Sequence, residues 1–136
     1  MADKKVKKYF EAVGRRKTSV ARVRITEEKK DNKIIINGKD KTEYLNTPEF
    51  VEIVTSPLRA TGTEESVSIS IKTTGGGIRG QAEAIRLGIS RALIKLNEDF
   101  NQTLRDLDYL KRDPRKKERK KPGLKKARRS PQWAKR

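Results

Sequence analysis

Residues 73–81, TTGGGIRGQ, set Gly75, Gly77 and Gly80 in the spacing G-x-G-x-x-G. That spacing is the fingerprint of a dinucleotide-binding loop, where glycine lets the backbone close on a pyrophosphate. The surroundings argue against a cofactor. The preceding segment, ESVSISIKTT, alternates Val67, Ile69 and Ile71 with Ser66, Ser68 and Ser70, whereas the central parallel strand of a dinucleotide fold is apolar on both faces. Glu98 or Asp99 lies about 20 residues on, at the distance of a ribose-binding carboxylate. No apolar strand follows the helix to deliver it. The nucleoside-triphosphate alternative also fails, because Gly75 and Gly80 have the spacing but Gln81 stands where lysine is required.

The loop keeps a physical capability after both rejections. Three successive glycines admit a close backbone approach. A helix beginning near Gln81 aims free N–H groups and a positive dipole end at whatever lies in front of it, and Arg79 adds a full charge. Two readings stand level on these residues alone: a phosphate site, which an RNA backbone would fit, and a plain loop whose glycines satisfy positive φ. Other chemistry is poorly served. The 136 residues contain no histidine and no cysteine, which removes the usual general base, the thiolate nucleophile and the commonest metal ligands. We therefore expect no enzyme, no cofactor, no metal and no small-molecule substrate.

The elements that position this loop follow from periodicity. In YFEAVGRRKTSVARVRITEE, Tyr9 to Val13 and Val20 to Ile25 read as a strand pair, with a cationic turn, GRRKTS, between them. Ile34–Ile36 is a short strand closed by Asn37-Gly38, a strong hairpin signal. Thr47 and Pro48 predict a helix start, with Phe50, Val51 and Val54 on one face. After the glycines, Ile85, Gly88, Ile89, Ala92, Leu93 and Leu96 recur at steps of three and four, leaving Arg86, Arg91 and Lys95 on other faces. Gly88 is expected to mark close packing against a sheet. A second helix is predicted from Asp99 to Leu107, and DYLKRDPR as a short final strand that Pro114 ends. The fold class is α+β: a two-layer sandwich of a mainly antiparallel or mixed sheet with helices on one face.

Charge divides the chain further. There are 35 Lys+Arg against 18 Asp+Glu, a formal charge of +17. Lys111 to Arg136 holds 14 basic and 2 acidic residues, while Thr18 to Leu110 holds 14 of each sign. The C-terminal run has too few apolar residues to bury a core. It is either a solubilising tail or a segment that seeks a polyanion, and its length and single sign favour the second. No stretch approaches the roughly 18 apolar residues of a membrane span, and MADKKVKKYF lacks the apolar core of a secretory signal. A protein that works where it is made, with no membrane partner, is expected.

GGGIRGQAEAIRLGISRAL resembles the signature of the bacterial form of the small ribosomal subunit protein nine family, with Gly75, Gly76, Gly77, Gly80, Gln81, Ala84, Gly88, Ser90 and Arg91 on its positions. GRRKTSVARV resembles the family's opening strand and turn, and ERKKPGLKKARRSPQWAKR its closing segment. The resemblance runs from about Tyr9 to Arg136. It implies the fold shared with the second domain of small-subunit protein five, including a left-handed βαβ crossover, against the usual right-handed default. It implies a structural protein of the cytoplasmic ribosome, bound to the 3′ major domain of 16S-type rRNA in the subunit head beside neighbouring ribosomal proteins. Its domains would be a basic extension (1–8), a globular rRNA-binding body (9–112) and an extended basic tail (113–136).

On that resemblance, the rRNA-binding residues are Arg15, Arg16 and Lys17 in the turn, and Gly75, Gly76, Gly77, Arg79 and Gln81 in the loop. In the tail they are Arg115, Lys116, Lys117, Arg119, Lys120, Lys121, Lys125, Lys126, Arg128 and Arg129. Lys135 and Arg136 would touch the anticodon stem-loop of P-site tRNA. Ala134 stands where the family often has serine, and Trp133 where it has phenylalanine. The indole would either stack on a base or guanidinium or wedge into an apolar rRNA crevice.

Overall fold

The computed structural model describes residues 9–27 and 33–112. The N-terminal extension, the tail cations, Trp133, Lys135 and Arg136 lie outside the described residues. Within them the chain is a mixed α+β fold with a five-stranded sheet in the order β1-β2-β5-β3-β4. The strands β1 (Tyr9–Arg16) and β2 (Ser19–Glu27) pair antiparallel, and β2 pairs antiparallel with β5 (Val67–Thr74). β3 (Ile34–Ile36) runs parallel to β5 and turns through Asn37 and Gly38, both at positive φ, into β4 (Lys39–Asp40). The register aligns every second residue: Ala12, Val23, Ile71 and Ile36 lie in one row across the sheet, and all are buried. The period-two alternation of β2 and β5 is thus the boundary between a covered face and an open one.

The turn between β1 and β2 is tighter than the six-residue break expected. The ladder continues to Arg16 opposite Ser19, and the chain reverses at Lys17 (φ 53°) and Thr18. Between β4 and β5 come α1 (Lys41–Leu45) and α2 (Pro48–Thr61). The first is too short to show a period, so neither it nor β4 is legible in the sequence. Asp40 caps α1 by accepting from the Thr42 hydroxyl (2.6 Å) and N–H (3.3 Å), and these bonds hold its carboxyl below the usual aspartate range. Thr47 caps α2 with Pro48 following, as expected, although its side chain makes no capping bond. α2 continues through Pro57, which cannot donate to the carbonyl of Ile53; the Ser56 hydroxyl donates to that oxygen instead, at 2.7 Å.

α3 (Ile78–Leu96) starts three residues before Gln81, with Gly77 as its cap, so Arg79 and Gly80 belong to its first turn. α4 (Phe100–Asp106) matches the second predicted helix and buries Leu104. The predicted strand at DYLKR does not form. Asp108 takes a left-handed backbone (φ 59°) and the Tyr109 N–H returns to the Leu104 carbonyl, so the chain wraps the end of α4. Tyr109 then lies under the Arg86 guanidinium, 5.2 Å from the ring centroid.

α3 lies directly on β1. A Cβ on Gly14 would stand 1.8 Å from the Ala84 carbonyl oxygen and 2.4 Å from the Gly88 nitrogen, and one on Gly88 would stand 2.7 Å from Val23 Cγ2. Gly88 therefore does mark close packing, against a second glycine that periodicity gave no reason to single out. Two cations of α3 also reach the outer edge of β1: Arg91 donates to the Val13 carbonyl (2.9 Å) and Lys95 to that of Glu11. Unpaired edge groups are thereby occupied, which blunts edge-to-edge pairing.

Gly14→Ala is expected to destabilise the protein by about 3 kcal/mol or more, because backbone atoms on a packed helix must give way. Gly38→Ala meets nothing within 4 Å and has only its φ of 82° to accommodate, a cost of about 1–2 kcal/mol. Denaturant unfolding of the two variants checks the order.

Candidate nucleic-acid interface

Two motifs some 60 residues apart in the chain meet at one corner of the fold. Gly75 (φ 76°) and Gly76 (φ 64°) need the left-handed backbone that glycine adopts without penalty. Their missing side chains also leave room for the β1–β2 turn. A Cβ on Gly75 would lie 2.5 Å from the Thr18 carbonyl oxygen, and one on Gly76 would lie 2.2 Å from Ser19 Oγ. Gly80 faces the same hydroxyl, at 3.0 Å. The close approach read from the glycines is thus made to this chain's own turn. Gly77 alone among the four meets nothing within 4 Å.

A chain of hydrogen bonds fastens the loop. The Asn37 side chain bridges to β5, its Oδ1 accepting from the Thr73 N–H (2.9 Å) and its Nδ2 donating to the Thr73 carbonyl (3.0 Å). The same Nδ2 donates to the Tyr44 hydroxyl (3.2 Å), which donates to Gln81 Oε1 (2.6 Å). Gln81 Nε2 donates to the Gly75 carbonyl (3.1 Å), which also accepts from Ser19 Oγ (2.9 Å). Gln81 was read as an RNA contact, and here its amide is engaged by the loop and by α1. Asn37, Tyr44 and Ser19 were not anticipated as parts of this site. Asn37 showed only as a turn former, and nothing local in the sequence pairs it with residues 36 positions away.

The turn cations separate in the same way. Arg15 and Lys17 are exposed. Arg16 is buried, and its Nε donates to Glu83 Oε2 at 2.6 Å. Arg79, exposed on the first turn of α3, lies 3.8 Å from the other oxygen of Glu83. A part-buried pair of this kind is expensive to break on one side only, so Arg16 ties the turn to α3. Gly77 caps α3 without a side-chain bond, and the N–H groups of Ile78, Arg79 and Gly80 have no intrahelical acceptor. The corner therefore presents Lys17 and Arg79 beside the positive end of a 19-residue helix, with Arg15 on the adjoining open face of the sheet. It is suited to hold phosphate oxygens. Among the described residues no three His, Cys, Asp or Glu side chains are grouped to hold a metal, and no helix is long and apolar enough to cross a membrane.

The family model described as ribosomal protein S9/S16 matches residues 14–136. The small ribosomal subunit protein uS9 of Thermosynechococcus vestitus is 45% identical over 137 residues, covering 100% of this chain and 98% of that protein. The uS9 protein of Mesoplasma florum is 48% identical over 136 residues, 100% of both chains. The uS9c protein of Gracilaria tenuistipitata var. liui is 47% identical over 128 residues, 93% of this chain and 92% of that one.

Because Gly76 faces Ser19, Gly76→Ala is expected to lower the stability of the isolated protein, whereas Gly77→Ala, with φ −90° and open space, is expected to be close to neutral. Tyr44→Phe removes the link between Asn37 and Gln81 and is expected to cost about 1 kcal/mol. Chemical unfolding in the absence of RNA measures all three. Equal stability of the two glycine variants would leave the packing account of the loop without support.

Proposed function

The chain belongs to the ribosomal protein S9/S16 family, a protein of the small ribosomal subunit and a structural constituent of the ribosome, and from that premise we propose how it holds its place there. The cationic corner of Arg15, Lys17 and Arg79, backed by the N-terminus of α3, grips the backbone of rRNA in the subunit head, within the 3′ major domain. Arg16 and Gln81 hold that corner in shape, and Gly75 and Gly76 let it close. The observation that carries this reading is the convergence of the turn and the glycine loop on one exposed, positively charged point. Residues 9–112 act as the globular body, with a left-handed crossover from β3 through α1 and α2 to β5. Residues 1–8 and 113–136 are basic arms that run along rRNA between neighbouring proteins.

The tail performs the second half of the function. Its cations from Arg115 to Arg129 neutralise rRNA phosphates, and Lys135 and Arg136 reach the P site to touch the backbone of the tRNA anticodon stem-loop. Arginine suits the last position because its planar fork engages two phosphate oxygens at once. No bond is made or broken in this work; it consists of charge neutralisation and positioning.

Binding of the full chain to small-subunit rRNA is expected to fall steeply with salt, by roughly 0.7–0.9 log units of affinity per log unit of salt for each phosphate neutralised. With 14 cations from Lys111 onward, a total slope of several units is expected, and a flat response would remove the electrostatic account. Subunits lacking Lys135 and Arg136 are expected to assemble but to bind P-site tRNA about tenfold or more weakly, given roughly 1.5–3 kcal/mol for a charged hydrogen bond. The loss is expected to be similar for every tRNA, because the contact is to backbone. Unchanged affinity, or a defect confined to one anticodon, would exclude it.

A further inference from the structure

Apart from Arg15 at its margin with the corner, the open face of the sheet carries charge that the corner and the tail do not use. Along β1, β2 and β5 this face consists of Tyr9, Glu11, Val13 and Arg15, then Val20, Arg22, Arg24 and Thr26, then Ser68, Ser70, Lys72 and Thr74. Arg22 and Lys72 are directly opposite one another, a pairing of like charges that costs stability when nothing lies between them. Arg22 and Arg24 share a single carboxylate, with Glu11 oxygens at 3.2 and 3.8 Å, and both remain about half exposed, at 58% and 47%. Among the described residues Arg15 and Lys72 have no ion-pair partner, and Glu11 is the one carboxylate on these three strands' open side.

We propose that this open sheet face is a second RNA-docking surface, on which Arg22, Arg24 and Lys72 bind successive backbone phosphates with Glu11 as the internal counter-ion that the phosphates displace. The inference rests on the rRNA-binding reading of the chain. Charge complementarity selects the occupant. The segments outside the described residues are themselves net basic or, at 28–32, neutral, so none of them neutralises the face. Val13 and Val20 are its only aliphatic side chains along the three strands, too few for the apolar centre of a protein–protein contact. Cations on neighbouring strands stand about 4.8 Å apart and those two residues along a strand about 6.8 Å apart, a spacing that lets one phosphate chain meet several of them. Ser70 and Thr74 add hydroxyl donors. The face is continuous with the corner, since the row Arg15–Val20–Thr74 runs into Gly75.

The test compares full-length chains on in-vitro transcribed small-subunit rRNA over a range of salt. Arg22→Gln/Arg24→Gln/Lys72→Gln is set against a charge-matched control on the other side of the molecule, Lys39→Gln/Lys41→Gln/Arg59→Gln. The sheet-face variant is expected to lose at least about tenfold in affinity and to reduce the salt slope by about 2–3 units, three contacts at roughly 0.7–0.9 each. The control is expected to lose far less. Glu11→Gln, a single conservative change that serves even if the triple variant folds poorly, is expected to bind rRNA several-fold more tightly because it frees two arginines.

Equal losses in the two triple variants, or unchanged or weaker binding by Glu11→Gln, would overturn the sheet-face inference while leaving the ribosomal reading intact. Protection of the Lys72 amine from acylation only after other head proteins are added would overturn it in favour of a protein occupant. A wild-type chain whose binding ignores salt would remove the proposed rRNA contacts altogether.

Discussion

The contact on which the rest of this structure depends is that of two backbones, β1 at Gly14 and α3 at Gly88 and Ala84. Side chains normally stand between a helix and the sheet it packs on; glycine at both positions removes that spacer, and the Gly88 nitrogen stands 2.4 Å from where a Gly14 Cβ would be. With α3 this close, Arg91 and Lys95 reach the carbonyls along the outer edge of β1, and Glu83 reaches Arg16. The same placement brings the N-terminus of α3 beside the β1–β2 turn. The shape of the corner is a consequence of packing further down the helix.

The glycine loop shows how a motif can look like chemistry and be largely architecture. Its G-x-G-x-x-G spacing fits a pyrophosphate on paper. In the fold, Gly75 and Gly76 close on Thr18 and Ser19, and Gln81 is bound to Tyr44 and to the Gly75 carbonyl. What remains outward is Arg79 and the first-turn N–H groups. The anion-binding potential of the loop survives because its glycines are used inward: they fix the helix start, and a fixed helix start presents its dipole at a defined point.

Charge is also sorted by the fold. Thr18 to Leu110 is neutral by count, yet Arg22, Arg24 and Lys72 share the open side of the sheet, where Glu11 is the one carboxylate along β1, β2 and β5, while α1 to α4 mix seven cations with five carboxylates. A body neutral in sequence therefore carries a locally positive patch on its open sheet face, and that patch is continuous with the corner. Such a patch orients the chain in the field of a polyanion before any contact forms.

The sequence by itself determined the elements whose signals are local. Asn37-Gly38 made the β3–β4 turn, because that pair tolerates positive φ at both positions; Val67, Ile69 and Ile71 made a half-buried strand; Ile85 to Leu96 made the long helix. The basic tail and the family signature were equally plain, since both are read residue by residue. What only tertiary structure decided is which groups meet across long stretches of chain. Arg16 and Glu83 are 67 positions apart, Asn37 and Thr73 are 36, and Arg91 and Val13 are 78. No periodicity encodes such pairs. Cations that read alike as RNA contacts were divided into Arg16, buried and paired, and Arg15 and Lys17, exposed. The short helix α1 and the turn at Asp108 escaped for a different reason: their bonds are local, Asp40 to Thr42 and the Tyr109 N–H to the Leu104 carbonyl, but five residues are too few to show a period and the left-handed backbone of Asp108 is not dictated by its residue type.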